Sequence, residues 1–213
     1  DRCMDPELNR AIERIVARLK ATERNPYPCK IFLTKSPVMN AVALPGGNIV
    51  LFGGLLENTR SPEELAGVIA HEMQHISRRH VTKRIIEDSS SGLLITAITG
   101  DMTAVMVYGA KIAHTLAMLR YSRRDEEEAD REGMKMLLAA GVDPNGMIRF
   151  YETLKGKEKM PEIFQYVATH PDMDERIAKL RAVVAETRIR EKPRPLLPEG
   201  ADWEHLKKRC RGT

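Results

Sequence analysis

The hydrophobic positions of this chain follow two different periods, and the switches between them mark out its elements. Leu8, Ile12, Ile15, Val16 and Leu19 recur at intervals of three and four, with Arg and Glu between them. That spacing is one apolar face of an α-helix over 5–24 that stops before Pro26. From Cys29 the pattern becomes that of strands. Lys30-Ile31-Phe32-Leu33-Thr34 is a short run, and Ala41-Val42-Ala43-Leu44 and Ile49-Val50-Leu51-Phe52 flank a hairpin turn at Pro45-Gly46-Gly47-Asn48. Gly53 and Gly54 end this small sheet before a helical turn around Leu55 to Asn58.

A helical period returns after Ser61, which fits an N-cap, with Pro62 at the first helical position and Glu64 completing a capping box. Leu65, Val68, Ile69 and Ile76 then recur at helical spacing, and the helix is expected to run to about Asp88. Ser89-Ser90-Ser91-Gly92 breaks it. Leu93 to Leu119 is apolar, but Asp101 and Lys111 interrupt it. No run therefore reaches the roughly 18 to 20 residues a membrane span requires, and two shorter buried helices meeting at Gly100-Asp101 are expected instead. Met102, Met106 and Met118 are expected to fill the core, with a cleft cover or a surface for membrane or client protein as the alternative. His114 is expected to be a core or groove histidine.

The remaining chain is helical until its end. Glu126 to Ala140 carries Ala129, Met134, Leu137 and Leu138 on one face and stops at Gly141. Val142-Asp143-Pro144-Asn145 restarts a helix to about Leu154, a polar loop covers 156–161, Ile163, Phe164, Tyr166 and Val167 follow, and His170-Pro171 opens the last element. Pro193, Pro195 and Pro198 among charges make 191–213 an extended tail, docked through Trp203 and Leu206. The expected architecture is a single α+β domain over 1–190, mostly helical, with a small sheet beside the helix that begins at Pro62.

Composition narrows the class. A chain of 213 residues with 42% hydrophobic content buries one good core. Its 34 basic and 30 acidic residues nearly cancel to a net charge of +4, without Lys/Arg runs interleaved with aromatics, which argues against a nucleic-acid partner. Cys3, Cys29 and Cys210 follow no metal-binding spacing; at most one internal disulfide forms, and the sequence leaves its pairing open. The chain starts at Asp1 with no Met, basic n-region or apolar h-region, so a removed targeting segment is an expectation.

The chemistry concentrates in His71-Glu72-Met73-Gln74-His75. Two imidazoles four residues apart on a helix project from one face and can hold one metal ion, with Glu72 beside them as general base. The motif arises by chance in roughly one or two such chains per hundred, but small, apolar neighbours place it on a close-packed helix, where unpartnered imidazoles are costly. A catalytic zinc site needs a third protein ligand and an open position. Glu126 is the candidate, and Asp130, one turn on, would accept the spare N–H of a ligand imidazole and orient it. Glu127 and Glu128 read as solvent-facing. His80, five residues after His75, is expected to turn away from the metal to the surface.

His-Glu-Met-Gln-His followed by Glu126-x-x-x-Asp130 resembles the gluzincin pattern of the M48 peptidase family, the Ste24-like and HtpX-like zinc metalloproteases. Asn40-Ala41-Val42-Ala43-Leu44-Pro45-Gly46-Gly47-Asn48-Ile49 is similar to that family's edge-strand segment, and Thr169-His170-Pro171 with Arg176-Ile177 to its C-terminal element. The resemblance is nearest to the soluble, exported bacterial branch, although the helical-repeat extension of two-domain relatives is not seen. It implies one Zn2+ per chain, a zincin-like fold, an exported, periplasmic or membrane-associated enzyme of envelope protein quality control, and protein or peptide substrates. A peripheral membrane or outer-membrane-protein association is a further implication. Substrate would add as a strand at Asn40, Ala41, Val42 and Ala43. His170 would either occupy the open coordination site as a reversible inhibitory ligand or donate to the developing oxyanion, and Arg176 would either stabilise that charge or brace its helix.

The reaction so implied is metal-assisted peptide hydrolysis, with zinc held by His71, His75 and Glu126 and with Glu72 carrying the proton from water to the leaving amine. Its rival is a chaperone-like or scaffold module whose zinc is structural or closed by His170. A weaker rival is an interaction domain with no metal.

Overall fold

The computed structural model describes residues 2–23, 28–87, 121–156, 166–187 and 192–210. The expectations for 88–119, including Met102, Met106, Met118 and His114, and those for 157–161, Ile163 and Phe164, lie outside these residues. Among the described residues no helix is long and apolar enough to cross a membrane.

Helix α1 (Pro6–Lys20) starts where the Asp5 side chain accepts the backbone N–H groups of Glu7 and Leu8, and it buries Leu8, Ala11, Ile12, Ile15, Val16 and Leu19. This is the apolar face anticipated from spacing, and such a cap contributes about 1 kcal/mol. The three strands β1 (Lys30–Thr34), β2 (Ala41–Leu44) and β3 (Asn48–Phe52) form one sheet in the order β1-β3-β2. β1 runs parallel to β3, from Lys30 opposite Asn48 to Thr34 opposite Phe52. β2 returns antiparallel through the hairpin, with Ala41 opposite Leu51 and Ala43 opposite Ile49, and so forms an edge. Gly47 has a φ of 82°, and a Cβ there would fall 1.7 Å from the Pro28 carbonyl oxygen, so the turn requires glycine on two counts.

After the short helix α2 (Gly53–Asn58), α3 (Pro62–Ser77) passes through the middle of the molecule. Every residue from Glu64 to His75 is buried. Ser61 caps it by accepting the Glu64 N–H, while the Glu64 carboxylate reaches back to the N–H of Arg60, one residue earlier than a standard capping box. Three layers close around α3: the sheet, contributing β2; helix α5 (Arg123–Ala139); and helix α6 (Asn145–Gly156). Gly67 permits the approach of α6, since a Cβ there would lie 2.7 Å from the Cα of Met147.

Three boundaries differ from expectation. α3 ends at Ser77, Arg79 takes the left-handed conformation with φ 58°, and a separate helix α4 (His80–Glu87) begins. α5 begins at Arg123 rather than Glu126, because Ser122 and Asp125 form a reciprocal capping box upstream of the acidic run. Beyond helix α7 (Met173–Glu186), the expected extended tail contains helix α8 (Trp203–Lys208). Trp203 donates its indole N–H to the Thr59 hydroxyl, Lys207 donates to the Thr59 carbonyl, and Leu206 is buried. An amphipathic turn too short to show a period is fixed by these tertiary contacts. Cys3 and Cys210, with Cα atoms 5.7 Å apart, are joined in a disulfide that fastens α8 to the start of α1, and Cys29 is free.

Candidate metal centre

His71 and His75 lie one turn apart on α3, fully buried, with their Nε2 atoms 2.9 Å from each other. Glu126, in the first turn of α5, brings Oε1 to 3.2 Å from His75 Nε2 and Oε2 to 3.6 Å from His71 Nε2. His170, just ahead of α7, places Nδ1 at 3.0 Å from Glu126 and 3.3 Å from His71 Nε2. One donor atom from each of these four residues lies within 4.8 Å of all the others. The expected set of His71, His75 and Glu126 is therefore brought together, and His170 joins it as a fourth.

The donor chemistry fits a cation. His71 Nδ1 is 2.9 Å from Asp130 Oδ1, a partner that accepts only, so its proton sits there and Nε2 carries a bare lone pair. That lone pair points at a second imidazole nitrogen and a carboxylate, all buried, an arrangement that a shared positive ion satisfies. Four ligand atoms at tetrahedral corners around an ion with bonds of about 2.0–2.1 Å stand roughly 3.3 Å apart. The separations here, 2.9 to 3.6 Å, straddle that value.

Glu72 sits beside the cluster. Its Oε2 accepts the N–H of Ala43 at 2.9 Å, its Oε1 has no hydrogen-bond partner among the described residues, and His170 Nε2 is 3.6 Å away. Burial pushes the Glu72 carboxyl above its ordinary pKa against the opposing pull of His170 and His71, the direction that suits a proton acceptor. Burial opposes charge on His170 too, but the Glu126 and Glu72 carboxylates outweigh it and raise its pKa. For Glu126, burial is overcome by Arg176, His170 and His71, which hold the carboxyl well below its usual range.

Behind the ligands, Arg176 bridges two carboxylates. Its Nη1 is 2.6 Å from Glu126 Oε2, its Nε is 2.6 Å from Asp130 Oδ2, and its Nη2 donates to Asp130 Oδ1 and the Tyr151 hydroxyl. Tyr151 in turn donates to Asp130 at 2.9 Å. Of the two expected roles for Arg176, these contacts belong to bracing, because all three guanidinium nitrogens are committed to protein acceptors. At the sheet edge Asn40, Ala41, Val42 and Ala43 are all buried; Ala41 N–H is taken by the Asn40 side chain and Ala43 N–H by Glu72.

The family model for Peptidase family M48 matches residues 4–184. The chain belongs to this family. It is 31% identical over 192 residues to the putative beta-barrel assembly-enhancing protease of Vibrio cholerae, covering 83% of this chain and 39% of the relative. The beta-barrel assembly-enhancing protease of Escherichia coli K12 is 29% identical with the same coverage. The mitochondrial metalloendopeptidase OMA1 of Schizosaccharomyces pombe is 27% identical over 188 residues, 86% of this chain and 54% of the relative. The chain thus spans about half or less of the length of these curated relatives.

Four residues of this M48 centre escape sequence reasoning. His80, expected at the surface, is 3% exposed with Nδ1 3.0 Å from His75 Nδ1, because the break at Arg78 and Arg79 cancels the helical phase that would have turned it outward. Tyr121 stacks on His75 with ring centroids 3.7 Å apart. Tyr151 completes the Arg176 network, and Tyr166 packs on His170 with a hydroxyl that finds no partner among the described residues. Tyr151 and Tyr166 each adjoin a hydrophobic residue, Phe150 and Val167, where a tyrosine reads as core; Tyr121 stands between Arg120 and Ser122 and carries no signal of its own.

Proposed function

We propose that this chain is the catalytic unit of a zinc metalloendopeptidase that hydrolyses peptide bonds in proteins. The observation that carries the reading is the convergence of His71, His75 and Glu126 from two helices, with the Glu72 carboxylate alongside and one of its oxygens unengaged. The three would hold Zn2+, with Asp130 fixing the ring of His71. When bound, the ion supplies Lewis acidity to a water molecule and to the scissile carbonyl. Glu72 takes the proton from that water at Oε1 and returns it to the leaving amine, while Ala43 holds Oε2 in place. Arg176 keeps Glu126 ionised and oriented, and His170 donates from Nε2 toward the developing oxyanion. The substrate adds as a strand along Asn40 to Ala43, with the Ala43 N–H left on Glu72 and the Asn40 side chain giving up the Ala41 N–H.

An exported protein engaged in envelope protein quality control is the setting we infer. The Cys3–Cys210 disulfide supports an oxidising compartment, and the names of two relatives refer to assembly of beta-barrels. Protein substrates, with peripheral association at a membrane or at outer-membrane proteins, are consistent with that setting.

Glu72→Gln tests the reading: the variant is expected to bind zinc as the parent does and to lose cleavage of casein by about 1,000-fold or more. Full hydrolysis by the variant would exclude the role. One observation favours a second reading, a chaperone-like or scaffold module with a closed zinc site: His170 stands as a fourth donor 3.0 Å from Glu126. Under that reading, four protein ligands hold the ion and His170→Ala produces no turnover.

A further inference from the structure

Both imidazoles on α3 have an outer partner, and the two partners differ in kind. His71 Nδ1 faces the Asp130 carboxylate, which accepts only and so fixes the proton on Nδ1. His75 Nδ1 faces another histidine, His80 Nδ1, at 3.0 Å. A contact between two neutral rings can run in either direction, and on its own it leaves the His75 tautomer open.

The far side of His80 decides the direction. His80 Nε2 lies 3.4 Å from Glu128 Oε2 and 3.7 Å from Asp125 Oδ1, both on the first turns of α5. If His80 donated from Nδ1 to His75, its Nε2 lone pair would face two carboxylates, and His75 would carry its proton on Nε2, pointed at His71 and Glu126. If His75 donates instead, His80 Nε2–H points at Glu128, and every contact along the line pairs a donor with an acceptor. The acidic turn of α5 selects the second arrangement.

We infer that His80 is a positioning residue for metal binding: it accepts the Nδ1 proton of His75, passes the polarity to Glu128, and so leaves His75 Nε2 as a bare lone pair facing the ion. The inference rests on the zinc-site reading above and adds a ligand-orienting residue to it. The line leads out of the core, since Glu128 is 31% exposed and is also paired with Arg78 at 3.1 Å. It joins the start of α4, the first turns of α5 and a metal ligand in one chain of contacts. The left-handed turn at Arg79 is what brings His80 into it.

Zinc affinity measured by chelator competition, together with the thermal midpoint of the metal-free protein, tests this. His80→Ala is expected to weaken zinc binding by about 10- to 100-fold. His80→Asn, which places an amide oxygen where Nδ1 sits, is expected to recover most of that loss. A role limited to packing would lower the metal-free midpoint in both variants and leave affinity alone. His80→Ala binding zinc within about twofold of the parent overturns the inference. A parent chain that binds no zinc at all overturns the reading beneath it. Long-range 1H–15N spectra of the metal-free parent provide a readout that needs no variant: a His75 proton on Nδ1, protected from exchange, is expected, and a proton on Nε2 overturns the inference.

Discussion

The backbone N–H of Ala43 donates to Glu72 Oε2 at 2.9 Å, so the edge strand and the motif helix meet at the proton-carrying group. Ala43 pairs with Ile49 in register, yet its N–H points away from β3 toward α3. The edge that would receive a substrate strand is thus partly engaged by Glu72, and Tyr121 and Val81 pack against Ala43 as well.

That contact gives a pH prediction. The Ala43 hydrogen bond is among the influences that lower the Glu72 pKa against the dominant effect of burial. Ala43→Pro removes the donor at an edge position without taking a bond from β3. The folded-state pKa of Glu72 then rises further, a larger fraction of the base is protonated at acid pH, and the acid limb of the kcat/KM profile moves to higher pH. A profile with an unmoved acid limb would deny Ala43 any influence on the base.

The Arg176 network predicts a large stability loss. Arg176→Met leaves Glu126 and Asp130 buried without their shared cation, which costs about 3–5 kcal/mol. Arg176→Lys recovers little, because one ammonium cannot span both carboxylates and the Tyr151 hydroxyl. Urea denaturation of the metal-free proteins measures both, and a Lys variant equal to the parent would argue against a bridging role.

Acid dependence follows from Asp130. Burial raises its pKa, but Arg176 and the hydrogen bonds from Arg176 and His71 bring it down to about 2, below the ordinary 3.8. A depressed carboxyl stabilises the fold above the unfolded pKa, and that stabilisation is lost as the pH falls from about 4 toward about 2. The difference corresponds to about 2 kcal/mol. Metal-free Asp130→Asn should therefore show a shallower fall in stability across this window than the parent, whatever its starting value, and an identical slope would contradict the assigned pairing.

How much of this was legible in advance depended on whether a signal was local. The His71, Glu72 and His75 constellation follows from helical spacing alone, and α1 and the hairpin follow from periods of 3.6 and 2. Asp130 lies beside His71 Nδ1 because a carboxylate one turn after Glu126 shares its face of the helix, a spacing visible in the sequence. His80 was misplaced because its position depends on a helix break, which a left-handed Arg79 creates without a Gly or Pro to announce it. Helix α8 and the Cys3–Cys210 pair depend on contacts across nearly the whole chain, which no window of sequence contains.

Tyr166 supplies the last prediction. Its ring is fully buried against Phe150 and His170, at centroid distances of 5.9 and 4.6 Å, and its hydroxyl has no hydrogen-bond partner among the described residues. An unsatisfied buried hydroxyl costs about 1–3 kcal/mol relative to a paired one. Tyr166→Phe keeps the ring contacts and removes the orphan, so the metal-free protein should be as stable as the parent or more stable by about 1 kcal/mol, in contrast to the usual loss on altering a buried side chain. A drop in the thermal midpoint instead would mean that the hydroxyl is satisfied in solution and would contradict its reading as an orphan.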